Sequence, residues 1–158
     1  MTLYDVFNGD ADGICSVQQW RLVTPAESTL ITGVKRDISL LKQVQAKRGD
    51  RIAVFDIALE KNKEAAQAVL AAGAEVIYFD HHFAGEIPEH NNFSANIDTS
   101  ADICTSLLVN GYLNGAHARW AVVGAFGDNL SNSARQLAEQ IELSEQEIMA
   151  FKLLGECI

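Results

Sequence analysis

Four short segments of the chain carry carboxylate or imidazole side chains shortly after runs of apolar residues. In chain order they contain Asp10 and Asp12, Asp56, the run Asp80-His81-His82, and Asp128. Several carboxylates held close together repel one another unless protons or cations intervene. Carboxylate oxygen and imidazole nitrogen form a ligand set for Mn²⁺ or a similar borderline ion, rather than for Ca²⁺ or a structural zinc. If the fold brings these segments together, they predict a metal centre.

Two divalent ions at such a centre would suit the hydrolysis of a phosphoester or a phosphoanhydride. A pair of ions about 3.5–4 Å apart can polarise a phosphoryl oxygen, activate the attacking water and stabilise the leaving oxygen. We expect manganese, with Mg²⁺, Co²⁺ or Fe²⁺ as alternatives. The predicted chemistry is therefore metal-assisted hydrolysis at phosphorus.

The elements that must position these side chains alternate between strand and helix. Strands are predicted at residues 3–7, 28–32, 51–55, 75–79 and 93–97, with helices at 14–23, 38–47 and 61–72 between them. From about residue 99 the pattern becomes helical, with segments 101–113, 118–126, 131–141 and 144–156. The last segment begins with Ser144 and Glu147, which have the spacing of a capping box.

This alternation predicts an α/β fold with a doubly wound, mainly five-stranded parallel sheet. Helices are expected on both of its faces, followed by a helical C-terminal region. Ligands in such sheets bind outside the carboxyl ends of the strands. Because Asp10, Asp56 and His81 each follow a predicted strand, we expect their side chains to meet at that edge.

The composition of the chain limits which class of substrate and which cellular compartment we expect. The chain has 158 residues, 48% of them hydrophobic, which suits a single domain with one sizeable core. Its formal net charge of −9 disfavours a footprint for long nucleic acid, so we expect a small phosphorylated substrate or a short oligonucleotide. No apolar run approaches the roughly 18 residues that a membrane span needs, and no signal-peptide pattern opens the chain. We therefore expect a cytoplasmic protein with no membrane partner.

The three cysteines do not suggest a site of their own. Cys15, Cys104 and Cys157 lack the spacing of zinc ligands or of a disulfide framework. Cys15 lies beside the first acidic segment, but no His/Asn partner has the order that a cysteine nucleophile needs. We expect small buried side chains in a reducing compartment.

The acidic segments resemble, in order and spacing, the four motifs of the DHH phosphoesterases. The matching residues are Asp10-Ala11-Asp12-Gly13 after the first strand, Asp56 after the third, Asp80-His81-His82 after the fourth, and Gly124-x-x-Gly127-Asp128 further on. The family includes RecJ-type exonucleases, nanoRNA and cyclic-dinucleotide phosphodiesterases, and manganese-dependent inorganic pyrophosphatases. The resemblance spans roughly residues 3 to 130, and the combination is much more specific than any single motif.

The resemblance implies two metal ions, expected to be Mn²⁺, that share one carboxylate. The first would be held by Asp10 and Asp56, and the second by Asp12, Asp56, His81 and Asp128. The implied activity is that of a hydrolase acting on phosphoester bonds of a small nucleotide or a short oligonucleotide.

The resemblance also implies catalytic roles for Asp56, Asp80 and His82. His82 would contact the substrate phosphate, and Asp80 would orient the histidine pair or the local backbone. Family members carry a further His or Asp ligand just upstream of the first motif, where this chain has Val6 and Asn8. Asn8 offers only an uncharged carbonyl oxygen and is a candidate substrate contact, so we expect weaker binding of the first metal.

A further departure concerns the domain organisation. Family members continue into a smaller domain, DHHA1, that grips the substrate, whereas we expect residues 1–158 to comprise only the DHH domain. An uncovered face would expose an apolar patch able to support a homodimer. Because the DHHA1 domain is the part that grips the substrate, we expect low activity from the isolated chain.

Two alternatives stay open at this stage. In a haloacid-dehalogenase-type phosphatase, Asp10 would be the nucleophile and Asp12 the general acid/base, which leaves Asp80-His81-His82 unexplained. In a non-catalytic regulatory domain, the metal site would persist without turnover. Replacement of His81 distinguishes the haloacid-dehalogenase-type phosphatase from a DHH phosphoesterase, because the activity of the phosphatase would survive the replacement.

Overall fold

A parallel sheet lies at the centre of the computed structural model, which describes residues Met1–Ile158. Its strands are β1 (Leu3–Asn8), β2 (Thr29–Gly33), β3 (Arg51–Phe55), β4 (Glu75–Asp80) and β5 (Phe93–Ile97), in the order β2-β1-β3-β4-β5. All four neighbouring pairs are parallel. The predicted α/β class with a five-stranded parallel sheet is confirmed.

Six helices surround the sheet and extend beyond it. They are α1 (Ala11–Val23), α2 (Leu59–Ala71), α3 (Thr105–Tyr112), α4 (Ala118–Gly127), α5 (Ser131–Gln140) and α6 (Glu145–Cys157). The predicted capping box of Ser144 and Glu147 is present at the start of α6. Each helix is too short or too polar to cross a lipid bilayer.

The central strands β1, β3 and β4 are buried on both faces, and successive side chains of each strand join opposite faces. On one face Val6, Ile52 and Val54 pack with residues of α2. On the other face Phe7 and Phe55 pack with residues of α1 and α3, and the Phe55 ring stacks on Phe79 at 5.5 Å between centroids. A separate apolar cluster joins α4, α5 and α6, and the dense packing of α4 against α1 attaches these helices to the sheet.

The helix predicted at 38–47 is wrong: only a single 3-10 turn forms there, from Leu40 to Gln43. The apolar spacing that suggested a helix, Ile38, Leu41 and Val44, is three residues, which matches the 3.0-residue repeat of a 3-10 helix. Leu41 is fully buried in the core, whereas Val44 is already extended, with φ −75° and ψ 122°. The apolar side chain of Leu41 is therefore buried without a regular α-helix.

The helix predicted at 101–113 begins later than expected, at Thr105, so the helical region starts there rather than near residue 99. Ser100 instead lies in a turn, where its N–H and hydroxyl both donate to Asp98 Oδ1. Helix α3 starts at Thr105, where the carboxylate of Asp12, from elsewhere in the chain, accepts the first two N–H groups of the helix.

Tyr78 anchors the loop that follows β3. Its side chain is fully buried, and its hydroxyl donates to the carbonyl oxygen of Ile57, 2.7 Å away. We expect Tyr78→Phe to lower the free energy of unfolding by about 1–3 kcal/mol, because the buried carbonyl loses its partner. Urea denaturation measures the change. Tyr4→Phe is the control, since that hydroxyl makes only a 3.5 Å contact and its loss should change stability by less than about 0.5 kcal/mol.

Candidate metal centre

The connections between strands place the acidic segments at one edge of the sheet. The chain leaves β1 for β2 on one side and returns to β3 on the other, so the strand order reverses between β1 and β3. A crevice opens at the carboxyl ends of strands where the order reverses in this way. Asp10 follows β1, Asp56 follows β3, and His81 follows β4. The three segments therefore share the carboxyl edge, as the sequence predicted.

His81 lies between three carboxylates. Its Nε2 is 3.5 Å from Asp56 Oδ1, 3.8 Å from Asp128 Oδ2 and 3.9 Å from Asp12 Oδ2. Asp128 reaches the group from the C-terminal end of α4. Two sets of three donors can each hold one ion, with ligand atoms within 4.8 Å of one another: Asp12, His81 and Asp128, and Asp56, His81 and His82. His81 is common to both sets.

Asp12 has a structural role that the sequence did not reveal. One oxygen of its buried carboxylate accepts the N–H of Thr105, and the other accepts that of Ser106, each at 2.8 Å. Asp12, on α1, therefore caps α3, whose first residue lies 93 positions further along the chain. Each carboxylate oxygen has two lone-pair sites, so both can still ligate a cation.

Asp56 occupies a backbone conformation that is uncommon for a residue with a side chain. Its φ of 58° lies in the left-handed region, immediately after the last residue of β3. The hydroxyl of Thr105 donates to Asp56 Oδ1 at 3.1 Å. Thr105 and Ser106 are fully buried.

Asp80 and His82 form a pair beside this group. His82 Nδ1 and Asp80 Oδ1 are 2.7 Å apart, Asp80 is fully buried, and the His82 side chain is 46% exposed. The hydrogen bond with Asp80 raises the pKa of His82, outweighing burial. Asp80 belongs to neither set of donors and contacts His82 instead. His82 is thus the more accessible of the two histidines.

Asp10 stands apart from both sets of donors. It caps α1 by accepting the N–H of Gly13 at 3.2 Å, and its Oδ2 lies 3.0 Å from Lys35 Nζ. Burial alone would raise the pKa of Asp10, but the Lys35 and Gly13 hydrogen bonds prevail and hold that pKa below its usual range. Asn8, at the end of β1, has a buried side-chain oxygen with no hydrogen-bond partner. Lys35 follows β2 and carried no motif that could have identified it.

The electrostatics of the group favour a bound cation. Burial, reinforced by the negative charge of Asp56, raises the pKa of Asp12 to about 6. Burial also raises the pKa of Asp56, although contact with His81 opposes the shift. Burial alone would lower the pKa of His81, but the contact with Asp56 and the charges of Asp12 and Asp128 raise it to about 9. Three carboxylates share this one imidazole, and oxygen and nitrogen donors of this kind fit Mn²⁺.

A cavity of about 270 Å³ opens onto the group. Asp56, Asp128, both histidines and two lysines, Lys35 and Lys61, contribute to its lining. A second cavity, of about 360 Å³, lies against the amino ends of β1, β3 and β4 and shares none of these residues. The smaller cavity is therefore the one that opens onto the candidate metal centre.

Cys15 does not add a nucleophile to this site. Burial, together with the charges of Asp12 and Asp10, raises the pKa of its thiol to about 12. The side chain is fully buried within α1. It is a protonated thiol at neutral pH and packs as a small apolar group.

Comparison with solved structures places this fold beside manganese-bound RecJ. The chain matches a crystal structure of exonuclease RecJ bound to manganese with a TM-score of 0.54 and 18% identity, covering 99% of this chain and 47% of that one. It matches RecJ from Thermus thermophilus in complex with Mn²⁺ with a TM-score of 0.52 and 16% identity, covering 96% of this chain and 28% of that one. No protein-family model and no curated protein matches the sequence. The chain has the fold of a RecJ-like DHH domain and spans less than half the length of either RecJ chain.

Proposed function

We propose that this chain is a metal-dependent phosphoesterase that hydrolyses a phosphodiester or phosphoanhydride bond by a two-metal mechanism. The observation that carries the proposal is the His81 imidazole, which lies within 3.9 Å of carboxylate oxygens of Asp12, Asp56 and Asp128 at the carboxyl edge of the sheet. The likeness of the fold to two manganese-bound RecJ structures supports it.

The metal-holding residues divide between two positions in this proposal. Asp12, His81 and Asp128 would hold one ion together with Asp56. The resemblance to the DHH phosphoesterases implies that Asp10 and Asp56 would hold the other. When bound, divalent ions of this kind supply activation of water and neutralisation of the charge on the phosphoryl group. Thr105 keeps Asp56 oriented through its 3.1 Å hydrogen bond, and the helix-capping bonds keep Asp12 in place.

The substrate-facing side chain in this proposal is His82. Its Nδ1 is engaged by Asp80, and that contact raises the pKa of His82 and so favours the imidazolium form. In that form Nε2 also carries a proton, which it can donate to a phosphoryl oxygen at the mouth of the cavity. Lys35 and Lys61 add positive charge to the same cavity, although the chain carries a formal net charge of −9. A small nucleotide or a short oligonucleotide suits this local charge better than a long polyanion.

Asp80 acts by positioning His82, and we expect Asp80→Asn to separate metal binding from turnover. Hydrolysis should fall by roughly 10–100-fold because the amide cannot hold the imidazole as the carboxylate does. Mn²⁺ affinity, measured by calorimetry, should change by less than about threefold, since Asp80 belongs to neither set of donors. Equal losses in both quantities would contradict the assignment of Asp80 to His82.

The haloacid-dehalogenase alternative is disfavoured by the surroundings of Asp12. Such a phosphatase needs Asp12 to exchange a proton with the leaving group. The Asp12 side chain is 1% exposed, and both of its oxygens accept N–H groups of α3. A carboxyl held in this way lacks access to a leaving group.

Hydrolysis assays on the purified chain test the proposal and separate it from a non-catalytic metal-binding domain. Chelator-treated protein is titrated with Mn²⁺ by calorimetry, and the same sample is assayed on bis-p-nitrophenyl phosphate, pyrophosphate and a dinucleotide. Manganese-dependent turnover of any of the three is the expected result. Binding without turnover would instead support the regulatory alternative, and absence of both would overturn the metal centre.

A further inference from the structure

Lys35 is the lysine or arginine that pairs with a carboxylate which the proposed mechanism assigns to a metal. Its Nζ lies 3.0 Å from Asp10 Oδ2, in the same cavity as Asp56, His81 and Asp128. Lys61 also lines that cavity, but its Nζ pairs with Glu60, 3.2 Å away. The two lysines therefore contribute differently to the charge of the site.

We propose that Lys35 is a built-in counter-cation for Asp10 that competes with the divalent ion at the Asp10 position and makes the two metal positions unequal. This inference rests on the proposed metal centre. The Asp12, His81 and Asp128 position has no lysine or arginine paired with its carboxylates, whereas the Asp10 position already has its negative charge compensated. An ion arriving at Asp10 has to displace an ammonium group.

The loop after β2 is built to keep Lys35 near Asp10. The N–H of Gly9 donates to the carbonyl oxygen of Gly33 at 3.0 Å, which ties this loop to the turn that precedes Asp10. Within the loop, the N–H of Val34 donates to Asp37 Oδ2 at 3.1 Å. A side chain at Gly33 would meet the Asp37 carboxylate at 2.5 Å, so the turn is closely packed. The backbone that carries Lys35 is therefore held beside the site.

The Lys35 side chain itself remains free to move away. It is 75% exposed, whereas the Asp10 side chain is 19% exposed. Asn8, which lines the same cavity at the end of β1, offers an uncharged oxygen and adds no negative charge to hold a metal. A metal ion can displace the Lys35 side chain into solvent. The free energy that this displacement requires lowers the affinity of the ion for the Asp10 position. The expected consequence is one tight position at His81 and one weak position at Asp10.

Calorimetric titration with Mn²⁺ alone tests this inference without an activity assay. The proteins compared are the wild type, Lys35→Gln, the charge-retaining Lys35→Arg, and the control Lys61→Gln. In Lys35→Gln the weak position should tighten by on the order of tenfold, and the tight position should change by less than about twofold. Lys35→Arg and Lys61→Gln should resemble the wild type, and added salt should narrow the difference between Lys35→Gln and wild type.

The outcomes separate this inference from the proposed function. Tightening of the weak position, or its appearance only in Lys35→Gln, supports the inference. Two-site binding that is unchanged or weakened in Lys35→Gln overturns it and leaves the metal centre intact. Equal tightening in Lys61→Gln also overturns it, because a general charge effect would then suffice. A wild type that binds no Mn²⁺ overturns both the inference and the proposed function.

Discussion

Replacing His81 with alanine is expected to abolish manganese-dependent hydrolysis, lowering kcat/KM by on the order of 10²–10³-fold. In the proposed centre His81 supplies the nitrogen donor of the position that also contains Asp12 and Asp128. Its loss leaves Asp12, Asp56 and Asp128 without the imidazole that lies between them. His82 cannot replace it, because His82 belongs to the set with Asp56 and not to the set with Asp12 and Asp128.

Activity assays and calorimetry on the same preparation measure this effect. Mn²⁺ affinity should fall together with activity, because the residue acts through the metal. His90→Ala is the matched control, since His90 is exposed and its ring contacts only the N–H of Asn92. Retention of a tenth or more of wild-type activity by His81→Ala would contradict the proposed centre and revive a mechanism based on Asp10.

The second large effect is expected from Gly13→Ala, directly after the first acidic motif. A Cβ at Gly13 would lie 2.2 Å from the carbonyl oxygen of Asn8 and 2.9 Å from its carbonyl carbon. Both atoms belong to the backbone of β1, so the clash cannot be relieved by turning a side chain. We expect the free energy of unfolding to fall by about 3 kcal/mol, because α1 has to move away from the strand.

Chemical denaturation measures that loss, and Gly111→Ala provides the control. Gly111 also lies in a helix, α3, but a Cβ there would meet no atom within 4 Å. The free energy of unfolding of Gly111→Ala should be unchanged or higher by up to about 1 kcal/mol, as expected when alanine replaces an exposed helical glycine. Similar losses in the two variants would show that close approach of α1 to β1 is not what requires Gly13.

The sheet and the location of the acidic segments could be predicted because they depend on local patterns. All five predicted strands are present, with bounds shifted by at most one residue at either end. A parallel sheet brings its carboxyl ends to one edge, so the positions of Asp56 and His81 follow once the strands are known. The helix bounds were less accurate where packing, rather than local pattern, determines them.

The contacts that complete the site could not be predicted, because the partners lie far apart in the sequence. Thr105 and Asp12 are separated by 93 positions, and nothing in the residues around Thr105 identifies a carboxylate from α1 as its helix cap. Lys35 lies in a loop without a motif, and its contact with Asp10 depends on how β2 sits beside β1. Such contacts are set by tertiary structure.

Crystals grown with Mn²⁺ and measured near the manganese absorption edge would locate the ions that the proposed metal centre binds. We predict the strongest anomalous peak next to Nε2 of His81, within coordination distance of the Asp12 and Asp128 carboxylates. A weaker peak or none is predicted beside Asp10, where Lys35 competes. Manganese found only at surface carboxylates, with no peak at His81 in crystals soaked to saturation, would contradict the account.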